Sequence, residues 1–386
     1  MNELFIEYGH VSVNKQGESI CGDSFEILKN GSKRIFVLSD GLGSGVKANI
    51  LSTLTAKILS SLLARNLPME ECVQTVASTL PVCQTRKLAY ATFTAICIEG
   101  SAAYLSQYDN PPVILMRGGK CIDYPRQVQF IGEKEIHVSQ LALEEGDFLV
   151  MMSDGVTHAG IGKVMPAGFS QKGVTDLLAQ WYTPEIAPQR MAATIADACL
   201  AVSLGAPDDD LTALVLKVER RKVANLIIGP PQHREDDEKI LRMFFAKEGF
   251  HIVCGGSTAS VVGNFLGKPV IPLIDTGDDD MPIMASIEGV DLVTEGVITL
   301  QHVVELAKEY QRDSSVSLQL CRLKDGASAL AGLLFERATD VNIFFGQSAN
   351  RAHEVLDIDF TTKESIVRKL KELLIQMGKN VKISLC

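Results

Sequence analysis

Three points in the chain set aspartate at the end of an apolar run. Ile35-Phe36-Val37-Leu38 leads into Ser39-Asp40-Gly41, and Phe148-Leu149-Val150-Met151-Met152 leads into Ser153-Asp154-Gly155. Asp208-Asp209-Asp210 stands directly before Leu211-Thr212-Ala213-Leu214-Val215-Leu216. Short apolar runs bounded by turn formers read as buried strands. The ends of core strands can meet at one point however far apart they lie in sequence. A cluster of carboxylates gathered there is costly unless a cation offsets it. The donors are all oxygen, which suits hard ions such as Mg²⁺ or Mn²⁺. The chemistry this implies is metal-dependent hydrolysis. Taken singly, Asp154-Gly155 reads as a turn and Asp209 as a solvated strand-entry residue. Asp23, in Gly22-Asp23-Ser24-Phe25, is either a fourth acidic contributor or a turn aspartate.

A rival reading attaches to the Gly41–Gly45 loop. Glycines after a strand and before a helix suggest a dinucleotide-binding turn, and hence a nucleotide-binding oxidoreductase. The spacing is imperfect, however, and Arg65 stands where an acidic ribose partner is wanted. A plain Asp-Gly turn is a third reading, and a catalytically silent signalling scaffold is the non-enzymatic one.

These residues must be positioned by a chain of 386 residues, for which two domains are the natural expectation. Hydrophobic content of 46% is ample for globular cores. The net charge is −10, and neither half has an excess of Lys and Arg over Asp and Glu, so no nucleic acid and no membrane surface is expected as a partner. Nine cysteines without a C-x-x-C pair fit buried thiols in a reducing cytoplasm and argue against structural zinc. The N-terminus lacks the pattern of a signal peptide, and no apolar run spans a bilayer, so the expected location is cytoplasmic.

Residues 1–220 mix strands with long helices. Helical spacing marks residues 46–65, a stretch after Pro68, and residues 174–182 and 189–202. Strand-like runs fall at 91–98, 102–105, 113–116 and 148–152. Consecutive strands without an intervening helix imply antiparallel pairing and an α+β unit with layered sheets. The charged stretch 217–222 is the expected seam. Beyond it, in 221–386, strands near 226–229, 251–254, 269–273, 341–345 and 381–385 alternate with helices near 237–247, 257 onward, 301–310, 326–337 and 362–377. That pattern predicts an α/β domain with an open mixed or parallel sheet.

The motifs carry a resemblance. Gly22-Asp23-Ser24-Phe25, Ser39-Asp40-Gly41-Leu42-Gly43-Ser44-Gly45, Ser153-Asp154-Gly155-Val156 and Asp209-Asp210-Leu211-Thr212 occur in the order seen in metal-dependent Ser/Thr protein phosphatases of the 2C type. They are most similar to the bacterial branch typified by stage II sporulation protein E. The segments from Asn110-Pro111-Pro112 to Arg117-Gly118-Gly119 and Leu143-Glu144-Glu145-Gly146-Asp147 also resemble that branch. The resemblance covers about residues 1–220. It implies two packed β-sheets flanked by helices, with two Mn²⁺ or Mg²⁺ ions between the sheets. It also implies a bridging role for Asp40, a carbonyl ligand at Gly41, single-metal ligands at Asp154 and Asp209, and a contact from Asp23, directly or through water. Asp210 takes a supporting role. The implied substrate is a phosphorylated regulatory protein, such as an anti-sigma-factor antagonist. The phosphate-binding arginine of eukaryotic members has no counterpart here. His158 is a candidate proton donor to the leaving group or a structural histidine.

The second half resembles no named enzyme family and is expected to sense or to dock. Gly255-Gly256-Ser257-Thr258 reads as an anion-binding turn for a small ligand, with Lys268 as a source of positive charge, or as a hydroxyl cap serving its own helix. Cys254 is either a thiol of lowered pKa or an inert buried cysteine. Asp278-Asp279-Asp280 reads as an acidic solvated loop.

Overall fold

Strand parity builds the first half of the molecule. Within Phe148–Met152, Leu149 and Met151 point to one apolar core while Phe148, Val150 and Met152 point to another, and all five are buried. A strand buried on both faces must lie between two layers. Each such side chain contributes roughly 1.5–3 kcal/mol on leaving water, so this strand and its neighbours anchor the architecture.

The computed structural model describes residues 4–79, 91–273, 284–311, 325–347 and 360–386. The chain divides into two units, Met1–Arg220 and Arg221–Cys386. In the first, the elements run β1 (Leu4–Val13), β2 (Asp23–Asn30), β3 (Lys33–Gly41), α1 (Gly45–Ala64), α2 (Met69–Thr79), β4 (Ala91–Glu99), β5 (Ala102–Tyr108), β6 (Ile114–Arg117), β7 (Lys120–Ile122), β8 (Gln127–Ile131), β9 (Lys134–Ala142), β10 (Phe148–Met152), α3 (Asp154–His158), α4 (Ser170–Trp181), α5 (Pro188–Val202) and β11 (Leu211–Arg220). One antiparallel sheet has the order β1-β11-β10-β6-β7 and the other β2-β3-β4-β5-β9-β8. Phe36, Leu38, Ile96, Leu149, Met151 and Leu214 fill the space between the sheets. Ile35 and Val37 turn outward onto α1 and α2, and Val150 and Val215 onto α4 and α5. The result is a four-layer sandwich, helices outside and sheets within, as the resemblance implied.

Some elements carry no clear signal in the sequence. β1, β2 and β9 are half-buried and mixed in polarity, and α3 starts within the second Ser-Asp-Gly motif itself. The charged stretch expected to mark the seam begins inside β11, where Lys217 and Glu219 are buried and pair at 2.6 Å.

The second unit holds β12 (Val223–Ile228), α6 (Asp237–Phe245), β13 (Phe250–Cys254), α7 (Gly256–Leu266), β14 (Ile271–Pro272), β15 (Met284–Ser286), β16 (Leu292–Thr294), α8 (Val297–Tyr310), α9 (Gly326–Gly332), β17 (Asp340–Phe345), α10 (Phe360–Gln376) and β18 (Asn380–Leu385). Its sheet is mixed: β16-β13-β12-β17-β18 pair in parallel, and β14 and β15 add antiparallel strands at one edge. Asp278-Asp279-Asp280 lies outside the described residues. Among the described residues, no helix is long and apolar enough to cross a membrane.

Two segments singled out in the sequence meet in one staple. The Arg117 guanidinium donates from Nε and Nη2 to the two oxygens of Asp147, each at 2.7 Å, and Asp147 is fully buried. Asp147 also accepts the Glu144 amide at 2.8 Å. Removing Asp147 leaves the partly exposed Arg117 guanidinium and the Glu144 amide without their acceptor. Asp147→Ala should therefore lower stability by about 2–4 kcal/mol in chemical denaturation, with Asp147→Asn recovering part of the loss. Unchanged unfolding midpoints would show that the pair carries no net stabilisation.

Candidate metal centre

The parity that places Leu38 between the sheets also places Asp40, two residues on, at the same face of β3. β2 begins at Asp23, whose partner across the antiparallel ladder is Asp40. Like charges directly opposite one another oppose strand pairing. From the other sheet, Asp154 follows β10 and Asp209-Asp210 precedes β11, and these two strands are neighbours. Ser153 links the two sheets. Its amide donates to the Thr212 carbonyl at 3.0 Å, its hydroxyl accepts the Thr212 amide at 2.9 Å, and that hydroxyl donates to Asp23 Oδ2 at 2.7 Å.

The acids respond to one another. Burial, and then the charges of Asp23, Asp154 and Asp209, hold the Asp40 carboxyl well above the usual carboxylate range, and Asp154 lies close enough to share a hydrogen bond with it. Asp23 is raised first by burial and further by Asp210 and Asp154, against the pull of the Ser153 hydroxyl. Asp209 is raised by burial and by Asp154. Asp210 plays a different part: its Oδ1 accepts the Lys15 amide at 2.9 Å, while its own amide donates to Asp209 Oδ1 at 3.0 Å.

Among the described residues, no group of three or more His, Cys, Asp or Glu side chains is close enough to hold an ion as it stands. The donor set nevertheless fits a hard cation. Asp23 Oδ1 and Asp210 Oδ2 are buried without a hydrogen-bond partner, and such orphaned carboxylate oxygens call for a proton or a metal. Every donor is oxygen, and the mutual repulsion is what a divalent ion would relieve.

The two glycines after Asp40 and Asp154 are fixed by contact. A Cβ on Gly41 would stand 2.0 Å from the Ala48 carbonyl oxygen of α1, and one on Gly155 2.0 Å from the Asp210 carbonyl oxygen. Only glycine lets these backbones approach. The dinucleotide reading of the Gly41–Gly45 loop fails on topology, because β3 pairs antiparallel with both β2 and β4 and the loop is no part of a parallel βαβ unit.

His158 Nδ1 lies 3.6 Å from Asp154 Oδ2, one helical turn along, and the ring is exposed. No described cysteine is set up as a nucleophile. Cys21, the nearest in sequence to Asp23, is pushed up to about 12 by burial and by Asp23, and Cys254 is pushed to about 12 by complete burial. The low-pKa reading of Cys254 is thus overturned. Gly255, Gly256, Ser257 and Thr258 belong to the other unit, at the start of α7, and are not part of this cluster. Lys268 lies beyond the far end of α7, paired with Glu288 at 2.6 Å, and cannot serve that turn.

Sequence reasoning missed the parts that hold the acids rather than the acids themselves. Ser153 and Thr212 carry the link between sheets, and a serine before both Asp-Gly pairs was the available signal. A groove beside Asp154 is lined by Gln107, Asn110, Arg126, His137, His158 and Gln171, drawn from five separate segments. Asn110 is anchored on β4, accepting the Thr92 hydroxyl at 2.5 Å, and Thr92 is the ladder partner of Asp40.

The cluster predicts opposite effects for one substitution. Asp40→Asn should raise the melting temperature of chelator-treated protein by removing repulsion, and should abolish most of the stabilisation that Mn²⁺ gives the wild type. Calorimetric titration that found wild-type Mn²⁺ affinity and stoichiometry in the variant would refute a bridging role for Asp40.

Known proteins are similar to the N-terminal unit. The family described as Stage II sporulation protein E (SpoIIE) matches residues 30–219. Stage II sporulation protein E of Bacillus subtilis is 22% identical over 220 residues, covering 55% of this chain and 26% of its own length. The chain thus spans about a quarter of that relative. Phosphoserine phosphatase RsbX of Bacillus subtilis is 24% identical over 176 residues, covering 44% of this chain and 85% of its own. Among solved structures, the PP2C phosphatase domain of Bacillus subtilis SpoIIE with a fragment of its regulatory domain matches at a TM-score of 0.49 and 23% identity, covering 57% of this chain and 65% of that one. Residues 30–219 match the SpoIIE family.

Proposed function

We propose that the N-terminal unit is a protein serine/threonine phosphatase that hydrolyses phosphoserine or phosphothreonine on a signalling protein, and that residues 221–386 regulate it or dock its partners. The observation that carries this reading is the convergence of Asp23, Asp40, Asp154 and Asp209 from four strand ends onto one oxygen-lined point. Asp40 would be shared by two Mn²⁺ or Mg²⁺ ions, with Asp154 and Asp209 holding one of them, the Gly41 carbonyl contributing, and Asp23 acting directly or through water. When bound, such ions supply Lewis-acid neutralisation of the phosphoryl oxygens and an activated water. No protein nucleophile is needed, consistent with thiols held protonated by burial.

The chain's own groups then have distinct tasks. Ser153 holds the Asp23 carboxylate in one orientation through its hydrogen bond. Gly41 and Gly155 keep the acids' backbones close to α1 and to β11. The groove beside Asp154 offers amides and the Arg126 guanidinium to a peptide whose phosphate faces the cluster. RsbX is named a phosphoserine phosphatase, which supports a phosphorylated regulatory protein as substrate, with an anti-sigma-factor antagonist as one form of it. A silent scaffold would have no chemical need for mutually repelling buried acids.

Full-length protein should release phosphate from a phosphoserine peptide only with Mn²⁺ or Mg²⁺, a chelator should stop it, and thiol alkylation should leave it intact. Chelator-resistant turnover that alkylation destroys would overturn the assignment. Arg126→Ala should raise KM for the peptide several-fold while kcat changes little, because a groove contact away from the reacting atoms contributes uniform binding. Steady-state kinetics that found KM unmoved would remove Arg126 from the substrate path.

A further inference from the structure

The parallel strands of the C-terminal unit have an order that the sequence does not disclose. Across the sheet they run β16-β13-β12-β17-β18, which in chain order is 3-2-1-4-5. In doubly wound sheets of this kind, ligands gather outside the carboxyl ends of the strands. At that edge β13 ends at Cys254 and its neighbour β16 at Thr294, and each passes into a helix through a glycine. Gly255 opens α7 and Gly296 opens α8. The two glycines are in contact: the Gly255 amide donates to the Thr294 carbonyl at 3.0 Å, and a Cβ placed on Gly296 would lie 3.5 Å from Gly255 Cα. Neither helix has a side-chain cap. Two sets of free first-turn N–H groups, and the positive ends of two helix dipoles, therefore meet in one small area.

A separate observation points to a ligand. Thr258, in the first turn of α7, is 2% exposed, and its hydroxyl has no hydrogen-bond partner. That hydroxyl is aimed into the turn, 3.1 Å from the point where a Gly255 Cβ would stand. Thr299, in the first turn of α8, is likewise fully buried with an unpartnered hydroxyl. A buried hydroxyl without a partner needs an explanation, and an acceptor arriving from outside supplies one. Gly256 has nothing within 4 Å of its would-be side chain, which leaves room for that group. The nearest acid in sequence, Glu295, is exposed.

We propose that the joined N-termini of α7 and α8, with Gly255, Gly256, Ser257 and Thr258, bind the phosphate group of a small ligand, independently of the carboxylate cluster in the other unit. The amides of Gly256 and Ser257 and the Thr258 hydroxyl donate to the phosphate oxygens, and the helix dipoles favour the charge. The source is either free phosphate or the phosphate of a nucleotide.

The test uses the full chain in chelator, so that no cation at the carboxylate cluster captures the probe. Inorganic phosphate, AMP and ADP are each titrated by calorimetry, and the melting temperature is followed in parallel. At least one should bind saturably and raise the melting temperature. Binding by phosphate at least as tight as by the nucleotides identifies a free oxyanion site, and tighter binding of AMP or ADP identifies a nucleotide site. Gly256→Asp sets a carboxylate over the same N–H groups in open space. It should weaken binding by about tenfold or more without lowering the melting temperature of the unliganded protein. Thr258→Val, which removes the hydroxyl at constant shape, should weaken binding several-fold and leave the unliganded protein at least as stable. The site is refuted if none of the three probes binds at millimolar concentration, or if both variants bind as the wild type does.

Discussion

Repulsion among buried carboxylates is the constraint around which the N-terminal unit is organised. Asp23 and Asp40 face each other directly across a ladder, and Asp154 and Asp209 approach from the opposite sheet. No isolated hairpin would keep two like charges in register at such a place. The cost is tolerable because it is set against strands buried on both faces. β10 and β11 are buried almost throughout and are covered by a sheet on one side and helices on the other. The core supplies the stability, and the strand ends spend part of it on an arrangement that favours a cation.

Rigidity at the cluster comes from devices a few residues away. Ser153 is held beside β11 by two hydrogen bonds to Thr212 and reaches the other sheet through one, to Asp23. Gly41 and Gly155 remove the side chains that would hold α1 and β11 off by more than an ångström. At the other end of the same strands the Arg117–Asp147 pair closes the β6 edge onto the turn before β10. These devices restrain the backbone around the acids and, through Ser153, one carboxylate itself.

The C-terminal unit presents the inverse electrostatics. Its features lie at helix N-termini, where backbone N–H groups accumulate partial positive charge without any basic side chain. Lys268, which the sequence suggested as a source of charge, is carried about a helix length away by α7. What concentrates the charge instead is the contact of Gly255 with Gly296, a consequence of β13 and β16 lying side by side.

The sequence by itself determined the local features. Apolar runs ending in Ser-Asp-Gly named Asp40 and Asp154, four motifs in order named the family, and helical spacing located α1 and α5 within a residue or two. These were legible because they depend on neighbours in the chain: side-chain periodicity, turn chemistry and a compact motif. Tertiary structure alone decided that Asp23 stands opposite Asp40, that Ser153 reaches Asp23 across 130 positions of sequence, and that β3 lies in an antiparallel sheet, which removed the dinucleotide reading. Half-buried strands such as β2 and β9 gave no periodic signal, because their polar side chains face partners from distant elements. The parallel order of the second sheet was hidden for the same reason. Strand pairing is a contact between residues that sequence spacing does not relate, and it was there that the acids, the groove and the paired helix ends were brought together.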